Sequence, residues 1–168
     1  MKKIYFSHGK ESGPNGRKIQ RLSVIGQQNG YETQSIDYTH LDNPDARVAH
    51  FLKILEGEKS GDEIIFVGSS MGGYVSVVAG TYIKPAGIFI LAPALFIEGY
   101  KVQDFGPLQN VEIVHGWDDD VIPYTHSIQF AQQQKCTLHL VKDGHRLMDS
   151  MDTIDMLFDA FLKQTDSH

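Results

Sequence analysis

Short apolar runs rich in β-branched and aromatic residues alternate along this chain with longer segments whose apolar residues recur at helical spacing. That is the pattern of a parallel sheet buried on both faces. It predicts six strands, at 4–8, 32–38, 63–68, 87–92, 111–115 and 137–141. Helices are expected between and after them, at 17–29, 44–56, 72–82, 124–133 and 153–163. In 44–56, Val48, Phe51, Leu52 and Leu55 share one face, with Asn43 as N-cap and Pro44 at the first helical position. The alternation implies right-handed crossovers and helices on both faces: a three-layer α/β/α sandwich with about six mostly parallel strands.

One connection, 93–110, has no good helix. It contains Gly99, Gly106 and Pro107 among Leu95, Phe96, Ile97, Tyr100 and Phe105, and reads as an exposed loop carrying apolar side chains, a substrate wall or a dimer surface. A chain of 168 residues with 41% hydrophobic content closes one core, burying about 70% of the surface its unfolded form exposes. One domain over residues 1–168 is expected, as a monomer or homodimer.

A net charge of −6 with no basic run gives no reason to expect nucleic acid or an anionic membrane as partner. The start MKKIYFSHGK is too poor in apolar residues for a signal-peptide core or a membrane span, which implies a cytoplasmic chain. The single cysteine, Cys136, forms no internal disulfide, and no Cys/His spacing resembles a zinc site. Cys136 opens an apolar run with nothing nearby to lower its pKa, so it reads as structural.

In such a sheet ligands bind beyond the carboxyl ends of the strands, so the residues following each strand carry the chemistry. After 63–68 comes GSSMGG, in which Gly68, Ser70 and Gly72 form GxSxG ahead of a helical segment. A strand, this motif and a helix make a nucleophile elbow: the serine sits on a sharp strained turn where flanking side chains would collide with strand and helix. A Gly/Ser-rich turn that binds phosphate is the plainer reading of the same residues.

A serine hydroxyl is a weak nucleophile and needs a base, in reach only from the same sheet edge. His145, in KDGHRLMD directly after 137–141, meets that requirement, with Gly144 permitting a tight turn. His40, His50, His126 and His168 read as loop or helix-surface residues, and His139 lies inside a strand. The imidazole needs a carboxylate to hold one tautomer. VHGWDDDVIP offers Asp118, Asp119 and Asp120, and spacing does not choose among them. Oxyanion stabilisation takes two backbone N–H donors: that of Met71, after the nucleophile, and that of Lys10 in the SHGKESG loop after the first strand.

These residues carry a resemblance. His8-Gly9, GSSMGGY from Gly68 to Tyr74, HGWDDDVIP from His115 to Pro123, and DGH from Asp143 to His145 resemble the α/β-hydrolase superfamily, and within it small, lid-poor bacterial esterases. They span nearly the whole chain in the order Ser, Asp, His. The superfamily's acid segment often reads HGxxDxxVP, which implies Asp119 as the acid, with Ile122 in place of Val. It implies a minimal α/β-hydrolase fold lacking the first two strands, with 93–110 too short for a lid and an open substrate site.

The chemistry expected is two-step acyl transfer through Ser70, His145 and Asp119, with an acyl-enzyme and with no metal or organic cofactor. The expected substrate is a small carboxylic ester or thioester, with Leu95, Phe96, Tyr100, Trp117 and Met148 as candidate pocket residues. The same triad would serve a peptidase, amidase or lactone hydrolase. A non-catalytic α/β-hydrolase-like binding protein is the reading from a different class.

Overall fold

The structure is a computed structural model and describes residues 1–166, so His168 lies outside the described residues. Six strands form one sheet: β1 (Lys2–Ser7), β2 (Glu32–Ile36), β3 (Glu63–Ser69), β4 (Gly87–Leu91), β5 (Val111–Gly116) and β6 (Thr137–Val141). Their order is β2-β1-β3-β4-β5-β6, and every pairing is parallel. The chain runs from β1 to β2 on one side and returns to β3 on the other. The strand order therefore switches direction between β1 and β3, where an open α/β sheet leaves a crevice at its carboxyl edge.

Five helices cover the faces: α1 (Arg17–Gln28), α2 (Pro44–Leu55), α3 (Met71–Ile83), α4 (Tyr124–Gln134) and α5 (Met151–Asp166), the last led by a 3₁₀ turn at Met148–Ser150. Apolar residues of α2, α3 and α4, among them Phe51, Tyr74, Val77 and Phe130, pack on one face. Leu22 of α1 and Ile154, Phe158 and Phe161 of α5 pack on the other. This is the three-layer α/β/α sandwich that the alternation implies.

Asn43 caps α2 as expected, its side chain accepting from the N–H groups of Asp45 and Ala46. α3 differs from its surface neighbours because every residue from Met71 to Gly80 is buried. Its sequence MGGYVSVVAG is apolar all round, as a helix enclosed by sheet and neighbours must be.

The segment 93–110 has no helix, but it is not an exposed apolar loop. Leu95 is fully buried, and Phe96, Tyr100, Val102, Phe105 and Leu108 pack against the core under α2, α3 and α4. The lack of regular structure is offset by burial, since these side chains close a gap that a crossover helix would otherwise fill. Among the described residues no helix is long and apolar enough to cross a membrane.

Candidate active site

Ser70 stands between β3 and α3 with φ 53° and ψ −118°. An L-residue adopts that conformation only under restraint. The restraint is visible in three bonds: the Ser70 N–H donates to Leu91 O at 2.9 Å, and its carbonyl accepts from Gly73 and Ala94, both at 2.9 Å. The glycines on either side are sterically required. A Cβ on Gly68 would overlap the Gly72 carbonyl and stand 2.6 Å from Ser76 Oγ, and one on Gly72 would overlap the Ser7 carbonyl.

Nε2 of His145 lies 3.1 Å from Ser70 Oγ, and its Nδ1 lies 2.7 Å from Asp119 Oδ2. Of the three aspartates after β5, only Asp119 makes this contact; Asp118 and Asp120 are exposed. Asp119 Oδ1 accepts from the N–H groups of Val121 and Ile122 at 2.9 and 2.8 Å, and its side chain is inaccessible to solvent. Burial alone would raise its pKa. The hydrogen bond to His145 and the two backbone bonds outweigh burial and hold the carboxyl below its ordinary value. As Nδ1 faces a carboxylate it is the protonated nitrogen, which leaves Nε2 as an acceptor toward the serine hydroxyl.

The turn that presents His145 depends on a different glycine from the one expected. A Cβ on Gly144 would meet nothing within 4 Å, whereas one on Gly116 would overlap the Asp143 carbonyl. Gly116 thus lets the acid and base loops touch, and Trp117 N–H to Val141 O (2.8 Å) and Asp118 N–H to Asp143 O (3.0 Å) stitch them together. Asp143 is itself occupied, accepting from Gly144 N, Asp149 N and Ser150 Oγ.

The loop after β1 lies across the serine. Gly9 faces it, an added Cβ standing 3.4 Å from Ser70 Cβ, and the Gly9 N–H is engaged by Ser12 Oγ at 3.1 Å. Lys10 follows and, with Met71, lines the cleft beside Ser70. Two buried groups hold this loop, His8 of the His8-Gly9 pair and Arg47, which the sequence did not single out. His8 Nε2 accepts from Tyr38 N–H and its Nδ1 donates to Gly9 O. Arg47, 1% exposed, donates to the His8 and Leu41 carbonyls. Burial lowers the pKa of both. Nothing marked Arg47 in the sequence, since an arginine on an amphipathic helix ordinarily points to water.

The cleft over Ser70 has a volume of about 840 Å³. Tyr100 and Met148 line it as expected, but the other candidate wall residues do not. Leu95 and Phe96 belong to the core, and Trp117, 49% exposed, packs edge-on against Tyr124. Much of the rest of the wall comes from the start of α1, Gly16 to Ile19, with Phe6, Leu22, Val67 and Leu91 at the floor. Lys18 is tied there by a 2.7 Å bond to Arg146 O. Among the described residues no group of three or more His, Cys, Asp or Glu side chains is placed to hold a metal.

Comparison with known proteins agrees with this architecture. A solved protein of the α/β-hydrolase superfamily from Xanthomonas campestris pv. campestris is 26% identical, with a TM-score of 0.89 over 96% of this chain and 98% of that one. Est1E from Butyrivibrio proteoclasticus is 18% identical, with a TM-score of 0.82 over 99% and 88% of the two chains. A second Xanthomonas campestris protein, described as a serine hydrolase without a lid, is 15% identical, with a TM-score of 0.79 over 97% and 81%. No curated protein matches the chain. A family model described as an uncharacterised protein family, UPF0227, matches residues 3–107, from β1 through Ser70 into the loop after β4. The chain, an α/β-hydrolase by fold, therefore belongs to the UPF0227 family.

Proposed function

We propose that this chain is a serine-dependent hydrolase of small carboxylic esters or thioesters, acting as one catalytic domain. The observation that carries the reading is the continuous chain Ser70 Oγ, His145 and Asp119, with links of 3.1 and 2.7 Å. Hydrogen-bonded Ser, His and Asp at a strained elbow are the arrangement that activates a hydroxyl for acyl transfer.

His145 Nε2 takes the hydroxyl proton as Ser70 Oγ attacks the carbonyl carbon. The N–H groups of Met71 and Lys10 receive the developing oxyanion. The tetrahedral species collapses, His145 returns its proton to the departing alcohol or thiol, and Ser70 is left acylated. Water then repeats the cycle, deprotonated by His145, and releases the acid. Asp119 stabilises the imidazolium and keeps its proton on Nδ1.

A cleft of about 840 Å³ with Phe6, Leu22, Val67 and Leu91 at its floor fits a small acyl substrate. Est1E, solved with ferulic acid bound, is a precedent for such a ligand on this fold. Hydrolysis of p-nitrophenyl acetate by wild type and Ser70→Ala tests the reading. Loss of about 10³-fold or more in kcat is expected, and a fully active Ser70→Ala would sink it. Matched amide and lactone substrates separate an esterase from the other hydrolases this triad could serve.

A further inference from the structure

Asp119 carries a second imidazole on its buried side. Its Oδ2 lies 2.7 Å from His145 Nδ1 and also 3.0 Å from Nε2 of His115. The His115 side chain is wholly inaccessible to solvent, on the next-to-last residue of β5, and both ring nitrogens are engaged. Nε2 is 2.9 Å from the Ile122 carbonyl oxygen, and Nδ1 is 2.7 Å from the hydroxyl of Ser127 on α4.

The tautomer follows from the partners. A carbonyl and a carboxylate both face Nε2, and neither donates, so that nitrogen carries the proton. Nδ1 of the neutral ring then accepts, and the buried Ser127 hydroxyl donates to it. Burial pushes the His115 pKa down, opposed only in part by its bond to Ile122 and the charge of Asp119, so the ring stays neutral.

The Asp119–Ile122 turn closes on this ring. Ile122 N–H donates to Asp119 Oδ1 while Ile122 O accepts from His115, so the carboxylate, the Ile122 peptide and the imidazole form one rigid unit. Asp119 lies in a connection between β5 and α4, where no sheet ladder fixes it.

We propose that His115 is a positioning residue for hydrolysis: held in its Nε2–H tautomer by Ser127, it locks the Asp119–Ile122 turn and aims the carboxylate at His145. This rests on the serine-hydrolase reading of the site. His115 touches no reacting atom, so its effect reaches the chemistry only through Asp119.

A double-mutant cycle tests it, with kcat and KM for p-nitrophenyl acetate measured on wild type, His115→Leu, Asp119→Asn and the double variant. His115→Leu is expected to lower kcat about tenfold or more with KM within about twofold, and to change kcat less than about twofold in the Asp119→Asn background. His115→Gln, whose amide nitrogen is as many bonds from Cα as Nε2, is expected to recover most of kcat. An equal loss in both backgrounds, or one confined to KM, overturns the proposal. Should His115→Leu fail to fold, Ser127→Ala replaces it, with a loss of about threefold expected only when Asp119 is present. A wild type with no esterase activity and no fluorophosphonate adduct on Ser70 would sink the serine-hydrolase reading and this inference together, whereas an additive cycle on a labelled, active wild type sinks the inference alone.

Discussion

Gly72 lies so close beneath the end of β1 that a Cβ added to it would overlap the carbonyl oxygen of Ser7. The opposing atom is backbone and cannot swing away, so Gly72→Ala must push α3 off the sheet and tilt Ser70 with it. The expected loss is about 3 kcal/mol or more, with kcat falling in whatever protein remains folded. Gly144→Ala, which meets nothing within 4 Å, is the control, and its urea midpoint should stay near that of wild type.

The three aspartates after β5 should separate cleanly. Asp119→Asn removes the carboxylate facing His145 Nδ1, and kcat is expected to fall about 10³- to 10⁴-fold. Asp118→Asn and Asp120→Asn change exposed side chains and should leave kcat within about twofold. Steady-state kinetics on the three variants checks this.

His8 and His115 set a pH dependence of stability. Burial lowers both below the ordinary imidazole value of 6.5, so the folded protein binds these protons less tightly than the unfolded chain. Their contribution is therefore complete above 6.5 and drains as the pH falls below it. Asp119, held below 3.8, adds a second loss at lower pH, because its contribution is present above that value and disappears as the carboxyl protonates. Urea midpoints should decline in two stages, from about pH 6.5 and again from about pH 4. A midpoint flat from pH 7 to 5 would contradict the buried neutral imidazoles.

Much of the fold was legible because apolar runs buried on two faces are hard to mistake for anything else. The boundaries moved where pairing decides them. β1 starts at Lys2 because Lys2 pairs with Glu63, and β3 runs on to Ser69 because Ser69 pairs with Leu91. Ser70 came from a motif set between strand and helix, and His145 from its place after the last strand. Asp119 came from the superfamily resemblance, since spacing does not choose among the three aspartates. The wall was not legible, because whether Phe96 faces a cleft or a core depends on what α3 and α4 leave unfilled. His115 stood in the acid segment, but its role was unreadable because it depends on a tautomer set by Ser127, outside that segment. Arg47 was unreadable because its partners are the His8 and Leu41 carbonyls.

Cys136 should be silent. Burial pushes its thiol up to about 11, so the thiolate is scarce at neutral pH. Cys136→Ser should retain activity, and iodoacetamide at pH 7.5 should not inhibit wild type.

In the proposed mechanism the Lys10 main chain, not its side chain, serves the oxyanion. Lys10→Ala keeps the N–H and should remain within a few-fold of wild type, while Lys10→Pro removes it and should lose about 10²-fold in kcat. Equal activity of the two would remove Lys10 from the mechanism.

An activated Ser70 reacts with a fluorophosphonate, and intact-mass analysis of the treated protein reads the outcome. The expected result is one adduct on wild type and none on folded Ser70→Ala. A folded wild type that takes no adduct, or a Ser70→Ala protein that still takes one, would contradict an activated Ser70.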